Sequence, residues 1–268
     1  MFIADYHTHS NCSPDGTVPM IEMAKAARTM GLSELCLTDH CDLLSLDGKK
    51  RTTEFDWQPI LSQRKDMLQA FGREIQLPMG LEFGMSFLDS VAAEKILKEP
   101  GLDFVIGAVH NHSEKAGGSD FYFADYETED DCYRALDDYF DSVLALSKTD
   151  YYDVLGHISY PLRYMRGDYK QPISLYRYTD HIRLMLTRAA DKGRGMEVNT
   201  WKGQTLSEWI PILKLFKECH GEIITVGSDA HATAPLGGGI KEAYTMLGDF
   251  GFRYVAVYRE RKPEFIKL

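Results

Sequence analysis

The stretch FIADYHTHS (2–10) reads as a short apolar β-strand that stops at two histidines, His7 and His9, one residue apart. In extended backbone, residues i and i+2 project to the same side, so both imidazoles can reach one ion. Working outward, the same design recurs along the chain. ELCLTD (34–39) is followed by His40, EIQLPMGLE (74–82) closes on Glu82, DFVIGAVH (103–110) closes on His110, and YDVLGH (152–157) closes on His157. GMEVN (195–199) and EIITVGS (222–228) complete the set, the last followed by Asp229 and His231. These runs are short and largely apolar, the pattern of parallel strands buried on both faces. A closing run, YVAVY (254–258), is expected to pair at an edge.

Amphipathic stretches lie between the strands. Residues 18–31 place Ile21, Ala24 and Ala27 on one face and end at Gly31, a left-handed cap. Residues 128–148 open on Thr128 as N-cap, with Glu129, Asp130 and Asp131 suited to the helix N-terminus. Residues 178–191 and 206–219 repeat the pattern, Ser207 being the expected cap of the second. Residues 111–127 form one long polar, aromatic-rich loop of the kind that serves as a lid. Seven β/α repeats predict an α/β fold, a distorted (β/α)7 TIM-like barrel, with 1–268 as a single domain. The open doubly wound alternative lacks a GxGxxG or P-loop pattern after any strand. In a barrel the C-terminal strand ends form one rim, where active sites are built, so the strand-end histidines and carboxylates should converge there.

Composition bounds the function. The 268 residues carry 30 Lys plus Arg against 40 Asp plus Glu, a formal net charge of −10, which argues against coating nucleic acid or an anionic membrane. No 18-residue apolar run predicts a membrane span. The five cysteines form no CxxC, and with no leader-like N-terminus the expectation is reduced thiols in a cytoplasmic protein. Imidazoles and carboxylates together suit Zn, Mn or Fe and match no calcium-loop spacing. A lone histidine at a strand end is usually structural, but six on one rim, beside carboxylates, point to a metal site. The other three take the plainer reading: His181 and His220 as solvated or capping groups, His112 as a loop residue near the rim.

The ordered set DYHTHS (5–10), TDH (38–40), Glu82, AVH (108–110), LGH (155–157) and GSDAH (227–231) resembles the PHP family, named for polymerase and histidinol phosphatase, and the resemblance spans the whole chain. It implies a distorted (β/α)7 barrel with three divalent metal ions at the rim. His7, His9, Glu82 and Asp229 would hold the first ion. Glu82 would bridge to a second, completed by His110 and His157. Asp15, His40 and His231 would hold a third. Some members carry His where this chain has Asp15, and SPDG (13–16) also suits a turn, so Asp15 is read both ways. Asp5 and Asp39 adjoin ligands and are read as groups that orient imidazoles.

Further features resemble the histidinol-phosphate phosphatase branch: the size of the chain, ISYPLRY (158–164) after His157, GMEVNT (195–200), and the ending GFRYVAVYRERKP (251–263). Trp201 and Lys202 depart from it, standing where small residues are common. The resemblance implies a hydrolase that converts L-histidinol phosphate to L-histidinol and phosphate in histidine biosynthesis. A metal-bridged hydroxide would be the nucleophile and Asp229 or His231 the proton donor to the leaving oxygen. Arg163 would grip the phosphate, Lys202 would add a charge, and Glu197 would either accept the substrate ammonium or serve as a buried ion-pair partner. The expected partner is thus a small phosphorylated substrate, with no nucleic acid or membrane. Two readings stand against this one: a PHP phosphoesterase acting on another monoester or a nucleotide, and a non-catalytic metal-binding PHP interaction module. The intact set of candidate ligands argues against the second.

Overall fold

The computed structural model describes residues 2–268. Eight short parallel strands come first in the chain: β1 (Ala4–Asp5), β2 (Glu34–Leu35), β3 (His40–Asp42), β4 (Gly80–Gly84), β5 (Phe104–Ala108), β6 (Val154–Leu155), β7 (Gly195–Asn199) and β8 (Ile224–Gly227). Strands β3 to β8 form one six-stranded parallel sheet in chain order, and β1 pairs with β2. Two seams join the pieces. On one side, Cys36 N donates to Asp5 O (2.9 Å), Thr38 N donates to Thr8 O (2.8 Å), and Leu37 bridges Met79. On the other, Tyr6 N donates to Val226 O (2.9 Å), Asp229 N to His7 O (2.8 Å) and His9 N to Ala230 O (2.9 Å). With 34–42 counted as one broken strand, the ring closes on seven strands, which is the distorted barrel expected. Every residue of β4, β5, β7 and β8 is buried, as befits strands covered on both faces.

The helices are α1 (Met20–Met30), α2 (Gln58–Phe71), α3 (Ser90–Ile96), α4 (Glu129–Leu146), α5 (Leu162–Gly167), α6 (Thr179–Asp191), α7 (Trp209–Glu218) and α8 (Ile240–Asp249). α1 buries Met20, Met23, Ala24 and Ala27, one helical stripe, and stops at Gly31 with φ of 79°. α4 opens on a reciprocal box in which Thr128 and Asp131 cap each other's backbone N–H. Ser207 is not a cap: it lies inside a 3₁₀ turn, Leu206–Glu208, that precedes α7. Among the described residues no helix is long and apolar enough to cross a membrane.

The tail differs from the edge strand expected. β9 (Tyr254–Arg259) pairs antiparallel with β10 (Lys262–Lys267). Its buried residues Ala256, Val257 and Tyr258 pack on Tyr6, Phe104, Ile106 and Val154 in a second, smaller apolar cluster. The hairpin turn holds Glu260 and Arg261 at φ of 49° and 63°, positive values that a two-residue hairpin loop of this hand demands.

Candidate metal centre

Parity along the strands brings the polar side chains together. His7 and His9 leave the end of β1 on one side, and Glu82, in the middle of β4 rather than at its end, is in register with His40 of β3. Glu82 is buried, and its two oxygens meet five imidazoles. Oε2 lies 3.1 Å from His7 Nε2, 3.4 Å from His9 Nε2 and 3.2 Å from His40 Nδ1. Oε1 lies 2.6 Å from His157 Nε2 and 3.0 Å from His110 Nε2. Asp229 Oδ1 stands 3.7 Å from His7 Nε2 and 3.5 Å from His9 Nε2. Asp229 holds a left-handed φ of 59°, uncommon for a residue with a side chain, just past the end of β8. His231 stacks on His9 with ring centroids 4.1 Å apart, and Asp15 Oδ2 reaches His231 Nε2 at 2.9 Å. Asp15 Oδ1 is 3.8 Å from His40 Nε2, and more than half of the Asp15 side chain is exposed. All nine residues expected as ligands thus converge on one rim.

The far nitrogens explain the orientation. His7 Nδ1 meets Glu197 Oε1 at 2.6 Å, His9 Nδ1 meets Ser13 Oγ at 3.1 Å, His110 Nδ1 meets Asp42 Oδ1 at 2.8 Å, and His231 Nδ1 meets the Asp229 carbonyl at 3.0 Å. Acceptors at Nδ1 of His7, His110 and His231 fix the proton there and leave the Nε2 lone pair facing inward, the arrangement seen behind metal-binding histidines. Four buried atoms of the centre, His7 Nε2, His9 Nε2, His40 Nδ1 and Glu82 Oε2, have no hydrogen-bond partner. His110 Nε2 and His157 Nε2 lie 3.3 Å apart while both face Glu82. Lone pairs that converge this closely in a buried site need a cation or shared protons between them. Three-residue groups with ligand atoms within reach of one ion include His7, His9 and Glu82; Glu82, His110 and His157; and His9, His40 and His231. The donor set fits divalent ions of the imidazole-and-carboxylate class.

Without ions, the electrostatics take the same form. Burial lowers the His7 pKa, yet Glu197, Glu82 and Asp229 overcome it and hold His7 well above an ordinary histidine. His110 is likewise raised against burial by Asp42 and Glu82. His9, buried beside His40, is pushed down to about 3. Burial raises Glu82 and Asp229, but His7, His40 and His110 together outweigh it at Glu82, as His7, Arg163 and His9 do at Asp229, and each titrates well below the usual carboxylate range.

Several expectations are corrected. Asp5 touches no imidazole; it accepts from Ser228 N (2.9 Å), Ser228 Oγ and Gly237 N (3.0 Å), and so ties the start of the chain to the loop after β8. Asp39 acts one step back, accepting from Ser10 N and from Ser13 Oγ, and Ser13 in turn meets His9. Glu197 is buried with both oxygens engaged, Oε1 by His7 and Oε2 by His157 N at 2.9 Å, so it offers nothing to a substrate ammonium. Lys202 does not line the cavity; its Nζ lies 4.0 Å from the Trp201 ring centroid. The loop 111–127 is pinned rather than free: Asn111 Nδ2 donates to Ser45 O (2.9 Å), Asp120 N donates to Leu46 O (2.9 Å), and Gly118 packs on Gly48. His112 lies against Phe121 and meets Asp138, while His181 sits in α6 and His220 follows α7.

Above the centre opens a cavity of about 370 Å³. Its walls carry Phe55, Tyr160, Tyr164 and Trp201, with Arg163 from α5 and Asp120 from the pinned loop. Arg163 Nη2 meets Asp229 Oδ2 at 2.7 Å. Asp120 Oδ1 accepts from Tyr160 OH (3.1 Å) and Tyr122 N (2.7 Å). Sequence reading missed Asp42 and Asp120, and of its two readings of Glu197 the structure shows the buried ion-pair partner, here of His7. The parity of His40 and Asp42 on one strand, and of Glu197 and Asn199 in an apolar one, was the available signal for Asp42 and Glu197.

Comparison with known proteins agrees with this geometry. The PHP domain family profile matches residues 5–201. A histidinol-phosphatase from Lactococcus lactis subsp. lactis is 28% identical over 268 residues, 96% of this chain and 95% of that protein. A probable histidinol-phosphatase from Thermotoga maritima is 25% identical over 257 residues, 94% of each chain. The crystal structure of a histidinol phosphate phosphatase from L. lactis, complexed with zinc, L-histidinol and phosphate, superposes with a TM-score of 0.80 at 25% identity, covering 98% of each chain. The chain belongs to the PHP domain family.

Proposed function

We propose that this PHP-family chain is a metal-dependent phosphatase that hydrolyses L-histidinol phosphate to L-histidinol and phosphate. The observation that carries the reading is the convergence of unpartnered imidazole and carboxylate lone pairs at the floor of a pocket whose walls bear both an arginine and a separate carboxylate. His7, His9, Glu82 and Asp229 would hold one divalent ion, Glu82 with His110 and His157 a second, and Asp15, His40 and His231 a third. Such ions, when bound, supply a Lewis acid for the phosphoryl oxygens and lower the pKa of water so that hydroxide attacks near neutral pH.

The chain's own groups do the rest. Arg163 keeps in-plane N–H donors for phosphate oxygens while its guanidinium is ion-paired with Asp229. Asp229 has Oδ2 held by Asn199 Nδ2 (3.1 Å) and Arg163, which turns Oδ1 toward the centre. A carboxylate so held is ionised and can take the proton that the attacking water gives up and pass it to the departing alkoxide. His231, at the same edge of the pocket and paired with Asp15, is the second group able to deliver that proton. Asp120 accepts the cationic end of the substrate, and the walls formed by Phe55, Tyr160 and Tyr164 accept its ring. We infer that residues 1–268 act as one unit on a small substrate, not on a polyanion.

The test is phosphate release by metal-loaded protein from L-histidinol phosphate, phosphoserine, a nucleoside monophosphate and p-nitrophenyl phosphate. The expected result is a kcat/KM for histidinol phosphate at least about a hundredfold above the others, about 2.7 kcal/mol of discrimination. Preferential turnover of another monoester would overturn the substrate assignment, and no turnover of any monoester would overturn the phosphatase reading.

A further inference from the structure

The end of β7 carries a local conflict. Trp201 and Lys202, consecutive non-glycine residues, both adopt left-handed backbone with φ of 44° and 59°. Glycine takes this conformation freely, whereas side-chain-bearing residues take it against steric strain. The turn is nevertheless firmly held: Thr200 N donates to Gly227 O (2.8 Å), Lys202 N to Ser228 O (2.9 Å) and Gly203 N to Thr200 O (2.9 Å). Asn199, just before it, has its carbonyl fixed by Thr205 Oγ1 (2.8 Å) and by Trp209 Nε1 (2.7 Å). Strain of this kind persists where the surrounding structure over-determines it, often at functional sites.

The strained turn closes a ring of four residues. The Trp201 backbone N–H donates to Asn199 Oδ1 (2.9 Å). Asn199 Nδ2 donates to Asp229 Oδ2 (3.1 Å), and the same oxygen meets Arg163 Nη2 at 2.7 Å. The Arg163 guanidinium returns to Trp201, its Cζ lying 4.0 Å from the indole centroid, with Tyr160 at 5.2 Å. A carboxylate partner would consume the in-plane N–H groups of the arginine. An aromatic face holds the cation by its π cloud and leaves those groups for other acceptors.

We propose that Trp201 is a positioning residue. Its indole holds Arg163 edge-on to the pocket, so that the guanidinium forms an ion pair with Asp229 while its N–H groups meet the phosphoryl group. This inference rests on the reading of the pocket as a phosphate-ester site and adds a residue that acts only through Arg163.

The experiment compares Trp201→Leu, which keeps apolar bulk without a π face, with Trp201→Phe, which keeps the face, in the metal-loaded protein. KM for the substrate and the inhibition constant of inorganic phosphate are measured beside kcat. Trp201→Leu should raise KM and the phosphate constant about three- to tenfold with kcat within about threefold, and Trp201→Phe should stay within about twofold of the parent in all three. A second readout is independent of turnover. The Arg163 Nε–H proton, assigned by its loss in Arg163→Lys, should lie upfield from ring current in the parent and in Trp201→Phe, and return to an ordinary position in Trp201→Leu. Equal behaviour of the Leu and Phe variants, or an ordinary shift in the parent, would overturn the proposal. A parent that neither binds phosphate nor cleaves any monoester would instead defeat the phosphatase reading, and the proton shift would still decide whether the stack holds Arg163.

Discussion

Glu197→Gln is the substitution that tests how the centre is held. Both Glu197 oxygens face donors, Oε1 the Nδ1 of His7 at 2.6 Å and Oε2 the backbone N–H of His157 at 2.9 Å. A glutamine has one oxygen and one NH₂, so either amide orientation sets a donor against a donor. The residue is buried, so no water relieves the mismatch, and a buried unsatisfied donor costs about 1–3 kcal/mol. For a chain of this length that corresponds to a fall in Tm of about 2–10 °C in metal-stripped protein. The second consequence is larger. If the amide keeps His157 N, the His7 proton is driven from Nδ1 to Nε2, the atom that faces Glu82 and Asp229, and the inward lone pair is lost. Loss of such an orienting partner lowers metal affinity about 10- to 100-fold. Zinc competition against a chromophoric chelator reads the affinity and calorimetry reads Tm, with the exposed Glu218→Gln as control. An affinity within about threefold of the parent, together with an unchanged Tm, would refute the argument that His7 is held in one tautomer by Glu197.

Three further outcomes are expected. In stripped protein, the raised histidines His7 and His110 stabilise the fold fully below their unfolded value of 6.5 and lose that contribution as pH climbs through their folded values. Depressed Glu82 and Asp229 contribute above 4.5 and 3.8 and lose it as pH falls, and His9, buried neutral, costs stability below 6.5, so Tm should peak near pH 6.5 and decline on the alkaline side. Zinc-loaded protein should reverse the alkaline decline, because binding displaces those protons; a stripped Tm that rises through neutral pH contradicts the charge assignment. Arg163→Met should raise KM about 10- to 100-fold, the worth of charge-assisted hydrogen bonds to phosphate, and an unchanged KM in initial-rate assays would remove Arg163 from phosphate binding. Asp15→Ala should cost about one bound ion per chain by metal analysis and spare the rest, because Asp15 meets only His231 and His40; an undiminished ion count would make Asp15 a turn residue.

The parts legible in the sequence were those that repeat a local rule. An apolar run ending in His or Asp needs only strand parity and the barrel rim to be placed, and His7, His9, His110, His157 and Asp229 follow from that. Glu82 was found by being read as the end of the strand 74–82; β4 in fact runs on to Gly84, and it is the register with His40 that brings Glu82 to the level of the centre. The misses depend on contacts across long separations. Glu197 was left between ammonium acceptor and buried ion-pair partner, because nothing local tells which histidine lies behind it. The approach of Arg163 to Trp201 crosses two elements and carries no periodic signal. The final hairpin was missed for a different reason: its turn, Glu260–Arg261, adopts the positive φ values that Gly or Asn usually marks.

The net charge of −10 now has a location. Asp5, Asp15, Asp39, Asp42, Glu82, Asp120, Glu197 and Asp229 all lie at or directly behind the centre, and Arg163 is the one guanidinium among the residues lining its cavity. Stripped of ions, this floor repels phosphate. Three divalent ions and Arg163 bring seven positive charges against these eight carboxylates, so loading removes nearly all of that repulsion. Phosphate affinity and metal affinity are then the same coupling seen from two sides, since each ligand supplies the charge that the other requires. The charge so relieved is confined to a cavity of about 370 Å³. A small phosphate ester can fit that cavity whole, whereas a long polyanion would leave most of its charge outside it.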